Sequence, residues 1–184
     1  MEIAVKDITQ ENLDDIPELC KSCLYWEFPE DFKDPSLLDP RKKLEFEARK
    51  KEWFIQTLRN FENCGKIVYH NNIPVGYAQY APSARLPQAR NYRSGPVGRV
   101  EEGVVFLSCL YISDEALRGK GVGVKLLDDM ITDLKKKGFK AIETFARRGS
   151  SNNPSGPFEL YLKRGFYIKD ETNLEFPLVR LNLR

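Results

Sequence analysis

The feature that most constrains the fold is the run from Val104 to Lys137. It opens with VVFLSCLYI, Val104 to Ile112, an apolar stretch without a clean polar face, which reads as a strand central in its sheet. It continues through LRGKGVGVKLL, Leu117 to Leu127, where Gly119, Gly121 and Gly123 are interleaved with the cations Arg118 and Lys120. It then becomes a helix to about Lys137, with Val122, Leu126, Leu127, Met130, Ile131 and Leu134 as its buried face and Gly138 as its stop. Lys135 to Lys137 suit the negative end of the helix dipole. The first turn of such a helix carries N–H groups with no partner inside the helix. Glycine lets an anion approach them closely, and the dipole favours negative charge there. A tight turn that merely needs glycine is the competing reading; the cations, the preceding strand and the regular helix favour an anion.

The remaining chain supplies the rest of a sheet. Met1–Lys6, Lys66–His70, Val75–Ala81, Ala141–Ala146, Phe166–Lys169 and Leu178–Leu183 read as strands, the second and third joined by the loop Asn71-Asn72-Ile73-Pro74. Thr9 is expected to cap a helix carrying Leu13, Ile16, Leu19 and Cys20. A long helix is expected from Arg41 to Asn63, capped by Asp39 with Pro40 at its first position and stopped by Gly65. Its apolar stripe is Leu44, Ala48, Phe54, Ile55, Leu58 and Phe61, flanked by Phe46 and Trp53. Phe158–Lys163 is a short helix ended by Gly165. Leu24–Pro40 and Pro82–Gly103 read as irregular connections, and ones this long usually carry function. The order of elements predicts a mixed α/β sheet, antiparallel in its first half, in one domain spanning residues 1–184.

Composition narrows the partners. With 29 Lys and Arg against 27 Asp and Glu the net charge is +2, which points neither to nucleic acid nor to an anionic membrane. No apolar run approaches the ~20 residues of a membrane span, and the N-terminus lacks a signal-peptide pattern, so a cytoplasmic location is expected. Cys20, Cys23, Cys64 and Cys109 are then expected to be thiols. Cys20-Lys21-Ser22-Cys23 has the spacing of a redox or zinc half-site, but His70 is the only histidine, and no metal is expected.

Two nucleotide motifs fail. In a P-loop the lysine follows the second glycine and precedes Ser or Thr; here Lys120 precedes Gly121. In a Rossmann fingerprint the third glycine would fall one residue later than Gly123. What fits is the R/Q-x-x-G-x-G/A pattern, as Arg118-Gly119-Lys120-Gly121-Val122-Gly123, with Tyr161-Leu162-Lys163-Arg164-Gly165-Phe166 further on and a strand between them. In both motifs the chain resembles the GNAT acetyltransferase superfamily. The resemblance covers most of the chain, least specifically over Leu24–Asn63 and Pro82–Gly103.

The resemblance implies a central, mostly antiparallel twisted sheet of about six to seven strands with flanking helices, splayed at the strand before the glycine-rich turn, and acetyl-CoA as cosubstrate. It implies that residues Arg118, Gly119, Lys120, Gly121, Val122 and Gly123 hold the CoA pyrophosphate and that Leu110, Tyr111 and Ile112 pair their backbone with pantetheine, an amide there polarising the thioester carbonyl. It implies Tyr161 as the general acid that protonates the departing thiolate, and Asn153 as a weaker pantetheine contact. The chain departs from the family in lacking a proline between strand and turn, and Ser113–Leu117 is one residue longer than the common form, so a bulge in the strand is expected. Where many relatives carry a basic Glu on the central strand, this chain has Phe106. An alkylamine of pKa ~10.4 is about one part in a thousand neutral near pH 7, so a base is wanted. Glu102 is the chosen candidate, with Glu101, His70 and Glu27 as alternatives and a water chain as another.

The expected reaction is acetyl transfer to a small-molecule or peptide primary amine by direct attack in a ternary complex, with a homodimer left open. The acceptor pocket would be lined by Tyr25, Trp26, Phe28 and the Pro82–Gly103 loop. Glu27 and Asp31 suit a cationic acceptor, whereas Arg85, Arg90 and Arg93 suit an acidic one. Cys109 is a conceivable acyl acceptor. Two other functions stand beside this one: a non-catalytic acyl-CoA-binding module, and a thiol redox sensor built on Cys20 and Cys23.

Overall fold

The computed structural model describes residues 2–31, 39–92, 101–149 and 155–184. Among these, seven strands form one sheet in the order β1-β2-β3-β4-β5-β7-β6. They are β1 (Ile3–Asp7), β2 (Gly65–His70), β3 (Ile73–Ala81), β4 (Val104–Ile112), β5 (Ala141–Phe145), β6 (Tyr167–Asp170) and β7 (Leu178–Asn182). Only β4 and β5 run parallel; the other neighbours are antiparallel. The helices are α1 (Glu18–Lys21), α2 (Lys43–Phe61), α3 (Gln88–Asn91), α4 (Val122–Lys136) and α5 (Phe158–Leu162). The mixed, mostly antiparallel fold expected from the sequence is the one observed.

The core is two apolar layers on opposite faces of the sheet. On one face Leu126, Leu127, Met130 and Leu134 of α4 bury against Val105, Leu107 and Leu110 of β4 and Ile142 of β5. On the other, Trp53 and Phe54 of α2 join Ile8, Trp26, Tyr77, Phe106, Cys109 and Phe145.

Several local expectations are corrected. Thr9 does not cap a helix; its N–H donates to Asn12 Oδ1 at 2.8 Å. Pro17 then holds Ile16 extended, at ψ 137°, because a residue before proline is pushed out of the helical region. The segment therefore breaks into a 3-10 turn, Leu13–Asp15, and the single turn α1, leaving Leu19 exposed. In α2 the buried face is Phe46, Lys50, Trp53, Phe54 and Thr57, while Leu44 and Ala48 face water. The stripe is rotated because a lysine, Lys50, is buried in it. Asp39 does cap the preceding 3-10 turn Pro40–Lys42, accepting from Arg41 N–H at 2.9 Å. The helix stops at Glu62, at φ 63°, whereas Gly65 already belongs to β2. A Cβ on Gly65 would lie 2.5 Å from the Ala78 carbonyl, so glycine there serves close strand packing. The β2–β3 loop is the two-residue turn Asn71-Asn72, both at positive φ; Ile73 already pairs with His70. Pro82–Gly103 is not irregular throughout: it carries a 3-10 turn, Ser83–Arg85, and α3, which bury Leu86 and Ala89.

The strand that positions the site is β4. Gln79 of β3 pairs with Cys109 and Tyr80 with Leu107, so Ser108 is an extra residue, its hydroxyl donating to the Gln79 carbonyl at 3.0 Å. The expected bulge thus sits in mid-strand; Ser113–Leu117 instead holds a 3-10 turn capped by Asp114. The bulge puts Phe106 and Cys109 on the α2 face and Leu107 and Leu110 on the α4 face. β4 and β5 pair only over Val104–Phe106 and Ala141–Glu143. Thr144 Oγ1 donates to the Leu107 carbonyl at 2.8 Å, and beyond it the two strands part.

Candidate active site

The fork between β4 and β5 opens into a cleft of about 530 Å³. Leu110, Tyr111 and Ile112 form one wall, Arg118, Gly119, Gly121, Gly123 and Val124 the end, and Gly156, Pro157 and Leu160 the opposite wall. Seven of the residues expected at the CoA site line it. Val122 and Lys120 do not: the Val122 side chain is buried in the core, and Lys120 points to solvent. Asn153 lies outside the described residues. Sequence reasoning missed Val124, in the first turn of α4, and also Gly156, Pro157 and Leu160, whose place in the cleft depends on how α5 and the residues before it sit beside the fork.

The glycines have distinct tasks. Gly119 and Gly121 adopt φ 73° and 84°, and a side chain on either would meet nothing within 4 Å. They are needed for the left-handed turn, and the space in front of them is open. Gly121 is the N-cap of α4, and its carbonyl accepts the Lys125 N–H at 2.9 Å. That is the first hydrogen bond of the helix, so the N–H groups of Val122, Gly123 and Val124 have no intrahelical acceptor. An anion seated here meets oriented donors and the positive end of a fifteen-residue helix. Arg118 is engaged rather than free. Its Nε donates to the Ile112 carbonyl at 2.9 Å and its Nη1 to Glu115 at 3.0 Å, so it ties the turn to the end of β4.

Tyr161 lies behind the cleft wall. Its side chain is fully buried, and its hydroxyl donates to the Ser155 carbonyl. A Cβ built on Gly156 would fall 2.7 Å from that hydroxyl, so only a glycine, here at φ 82°, separates the phenol from the cleft. Burial pushes the phenol well above the ordinary tyrosine range, against a smaller opposing effect of the Thr144 hydroxyl at the apex of the fork. Tyr161 therefore keeps its proton at any physiological pH and serves first as a hydrogen-bond donor.

No candidate for the base lines this cleft. Glu102 is exposed in the turn before β4, eight residues back from Leu110, or roughly 26 Å along a strand. The structure thus places it apart from the residues that line the cleft. Glu101 is held by Lys169 at 3.1 Å and Arg180 at 2.9 Å, which also bind buried Glu143. His70 ends β2 at the hairpin. Glu27 is buried on the α2 face, where it accepts from Lys50 Nζ at 2.5 Å and from Gln79 Nε2. Burial alone would depress the Lys50 ammonium, but Glu27 and the nearby thiols outweigh it and the net shift is upward.

The four thiols are free. Burial pushes Cys20 and Cys64 up to about 12 and raises Cys23 and Cys109 as well, so none is poised as a thiolate. Among the described residues no group of three or more His, Cys, Asp or Glu could hold a metal ion, and no helix is long and apolar enough to cross a membrane.

Comparison with known proteins agrees with this geometry. No curated protein matches the chain. The PaiA N-acetyltransferase of Thermoplasma acidophilum, solved with coenzyme A, superposes with a TM-score of 0.60 at 15% identity, covering 99% of each chain. The putative acetyltransferase YncA of Salmonella typhimurium, solved with acetyl-CoA, gives 0.61 at 15% identity over 99% of this chain and 94% of that one. A GNAT acetyltransferase of Brucella melitensis, also solved with acetyl-CoA, gives 0.55 at 14% identity over 98% and 88%. The family model of the GNAT acetyltransferases matches residues 16–166, which include the forked strand, the glycine turn and Tyr161, and the chain belongs to that family.

Proposed function

We propose that this chain, acting as one domain, transfers an acetyl group from acetyl-CoA to a primary amine by direct attack. The observation that carries the reading is the forked sheet: a strand edge released from its neighbour runs straight into an uncapped helix N-terminus. A linear amide can add to the edge at Leu110–Ile112 as a strand would. Its pyrophosphate then falls on the first turn of α4, where glycines leave open space. An amide of β4 just past the Ser108 bulge polarises the thioester carbonyl. The neutral amine nitrogen bonds to the carbonyl carbon and passes its proton to water, the carbon–sulfur bond breaks, and the thiolate takes a hydrogen bond and finally a proton from Tyr161, which gives up the Ser155 carbonyl to do so and recovers its proton from solvent.

Release of CoA from acetyl-CoA with a panel of amines tests this. Tyr161→Phe is expected to lower kcat by about 10²–10⁴-fold with little change in KM for acetyl-CoA. Among the described residues no acid lines the cleft, and that favours a second reading, a non-catalytic acyl-CoA-binding module. CoA binding without turnover for any amine would select that module.

A further inference from the structure

Three basic side chains stand on the glycine turn and the start of α4: Arg118, Lys120 and Lys125. Two of them are tied to the protein. Arg118 donates to the Ile112 carbonyl and to Glu115, and Lys125 Nζ donates to the Ile3 carbonyl of β1. Lys120 is exposed, and its ammonium has no partner among the described residues. The acids just before it have other tasks: Asp114 Oδ1 accepts the Ala116 N–H at 2.9 Å, and Glu115 holds Arg118. A free surface lysine is ordinary by itself. This one stands where a cosubstrate seated in the cleft leaves the protein.

The cleft fixes the direction in which that ligand runs. Toward the apex the fork closes at the hydrogen bond from Thr144 to the Leu107 carbonyl. A pantetheine on the edge at Leu110–Ile112 and a pyrophosphate on the first turn of α4 therefore leave the nucleotide half of CoA only one way to go, outward past the glycine turn. There is room for it. A Cβ on Gly119 or on Gly121, the neighbours of Lys120 on either side, would meet nothing within 4 Å. Lys120 itself does not line the cleft, so its charge is offered to a group beyond the pyrophosphate. On CoA the next charged group is the phosphate on the 3′ oxygen of the ribose. A compact ammonium on a flexible four-carbon stem suits such a phosphate at the rim.

We propose that Lys120 recognises the ribose 3′-phosphate of CoA and so separates CoA from its 3′-dephospho form. Lys120 is a specificity-determining residue for the cosubstrate, not a part of the pyrophosphate cradle. The inference rests on the acetyl-CoA-dependent reading of the cleft, but its test needs no acyl transfer.

The full chain is titrated calorimetrically with CoA and with 3′-dephospho-CoA, as wild type, Lys120→Ala and Lys120→Arg. The wild type is expected to bind CoA about three- to tenfold more tightly than the dephospho form, the size of a charge-assisted contact open to water. Lys120→Ala should lose that preference by weakening CoA alone, and Lys120→Arg should keep it. Raising the salt from about 0.05 M to about 0.5 M should shrink the wild-type preference, because an exposed pair is screened. Replacing an exposed side chain without a partner removes no packing, so both variants are expected to fold. Equal affinity of the wild type for the two ligands, an alanine variant that weakens both alike, or a preference that the alanine variant keeps would each overturn the proposal. Failure of the acetyltransferase reading would look different: the 3′-phosphate preference in the expected pattern, with no CoA released from acetyl-CoA by any amine.

Discussion

The two faces of β4 are built from different materials. Toward α4 the site is backbone: the parted edge of a strand, two left-handed glycines and the open first turn of a helix. Toward α2 the polar groups are buried side chains, with Glu27, Lys50 and Gln79 brought together from three separate segments. A backbone site is insensitive to most side-chain changes but intolerant of a changed backbone angle. A side-chain site behaves the other way.

The strongest test of this contrast is Lys50→Ala. It leaves the Glu27 carboxylate buried without its cation and is expected to cost about 3–5 kcal/mol, read from urea denaturation. A loss below about 1 kcal/mol would show that the pair is not buried in solution and would remove the contrast. Gly121→Ala tests the other face. Nothing lies within 4 Å of the added methyl, so its cost is conformational, about 1–2 kcal/mol. CoA affinity should fall while the Lys50–Glu27 region, followed by the hydrogen exchange of β3, stays as it was. A Gly121→Ala protein with unchanged CoA affinity would mean that the turn does not hold the anion.

A third effect is an alkaline one and belongs to the α2 face. Burial raises Cys20 and Cys64 from the ordinary value of 9.0 to about 12. The folded state therefore prefers the protonated thiols. Their contribution to stability is complete below about pH 9 and is lost as pH rises toward about 12. Thermal midpoints recorded across that window should fall, and Cys64→Ala should make the fall shallower. A slope the variant leaves unaltered would assign the alkaline loss elsewhere, Tyr161 included.

Legibility in the sequence follows the same division. A left-handed turn demands glycine, so the spacing of Gly119, Gly121 and Gly123 records a backbone shape that any reader of the chain can find. The strands and α4 were legible because their apolar periodicity is the packing itself. The buried face of α2 was not: Lys50 reads as a surface residue, and only its pairing with Glu27 makes it a core one. Thr9 and Leu13 suggested a helix that Pro17 breaks, a signal that was present but outweighed by periodicity. Tyr161 was legible from its motif, whereas its placement behind Gly156 required the fold. Glu102 looked near the site in sequence and lies at the wrong end of a nine-residue strand.

The fork at the centre of the sheet also bears on solubility. A strand edge with unpaired amides is a template on which another chain can build, and most sheets hide theirs at a margin guarded by charge. Here an inner strand is opened on purpose. Thr144 blocks the edge at Leu107 and Arg118 blocks it at Ile112, so the exposed stretch spans five steps, roughly 16 Å of strand. Its far side is walled by Gly156, Pro157 and Leu160. The side chains on both faces of a peptide strand from a neighbouring molecule would meet these walls.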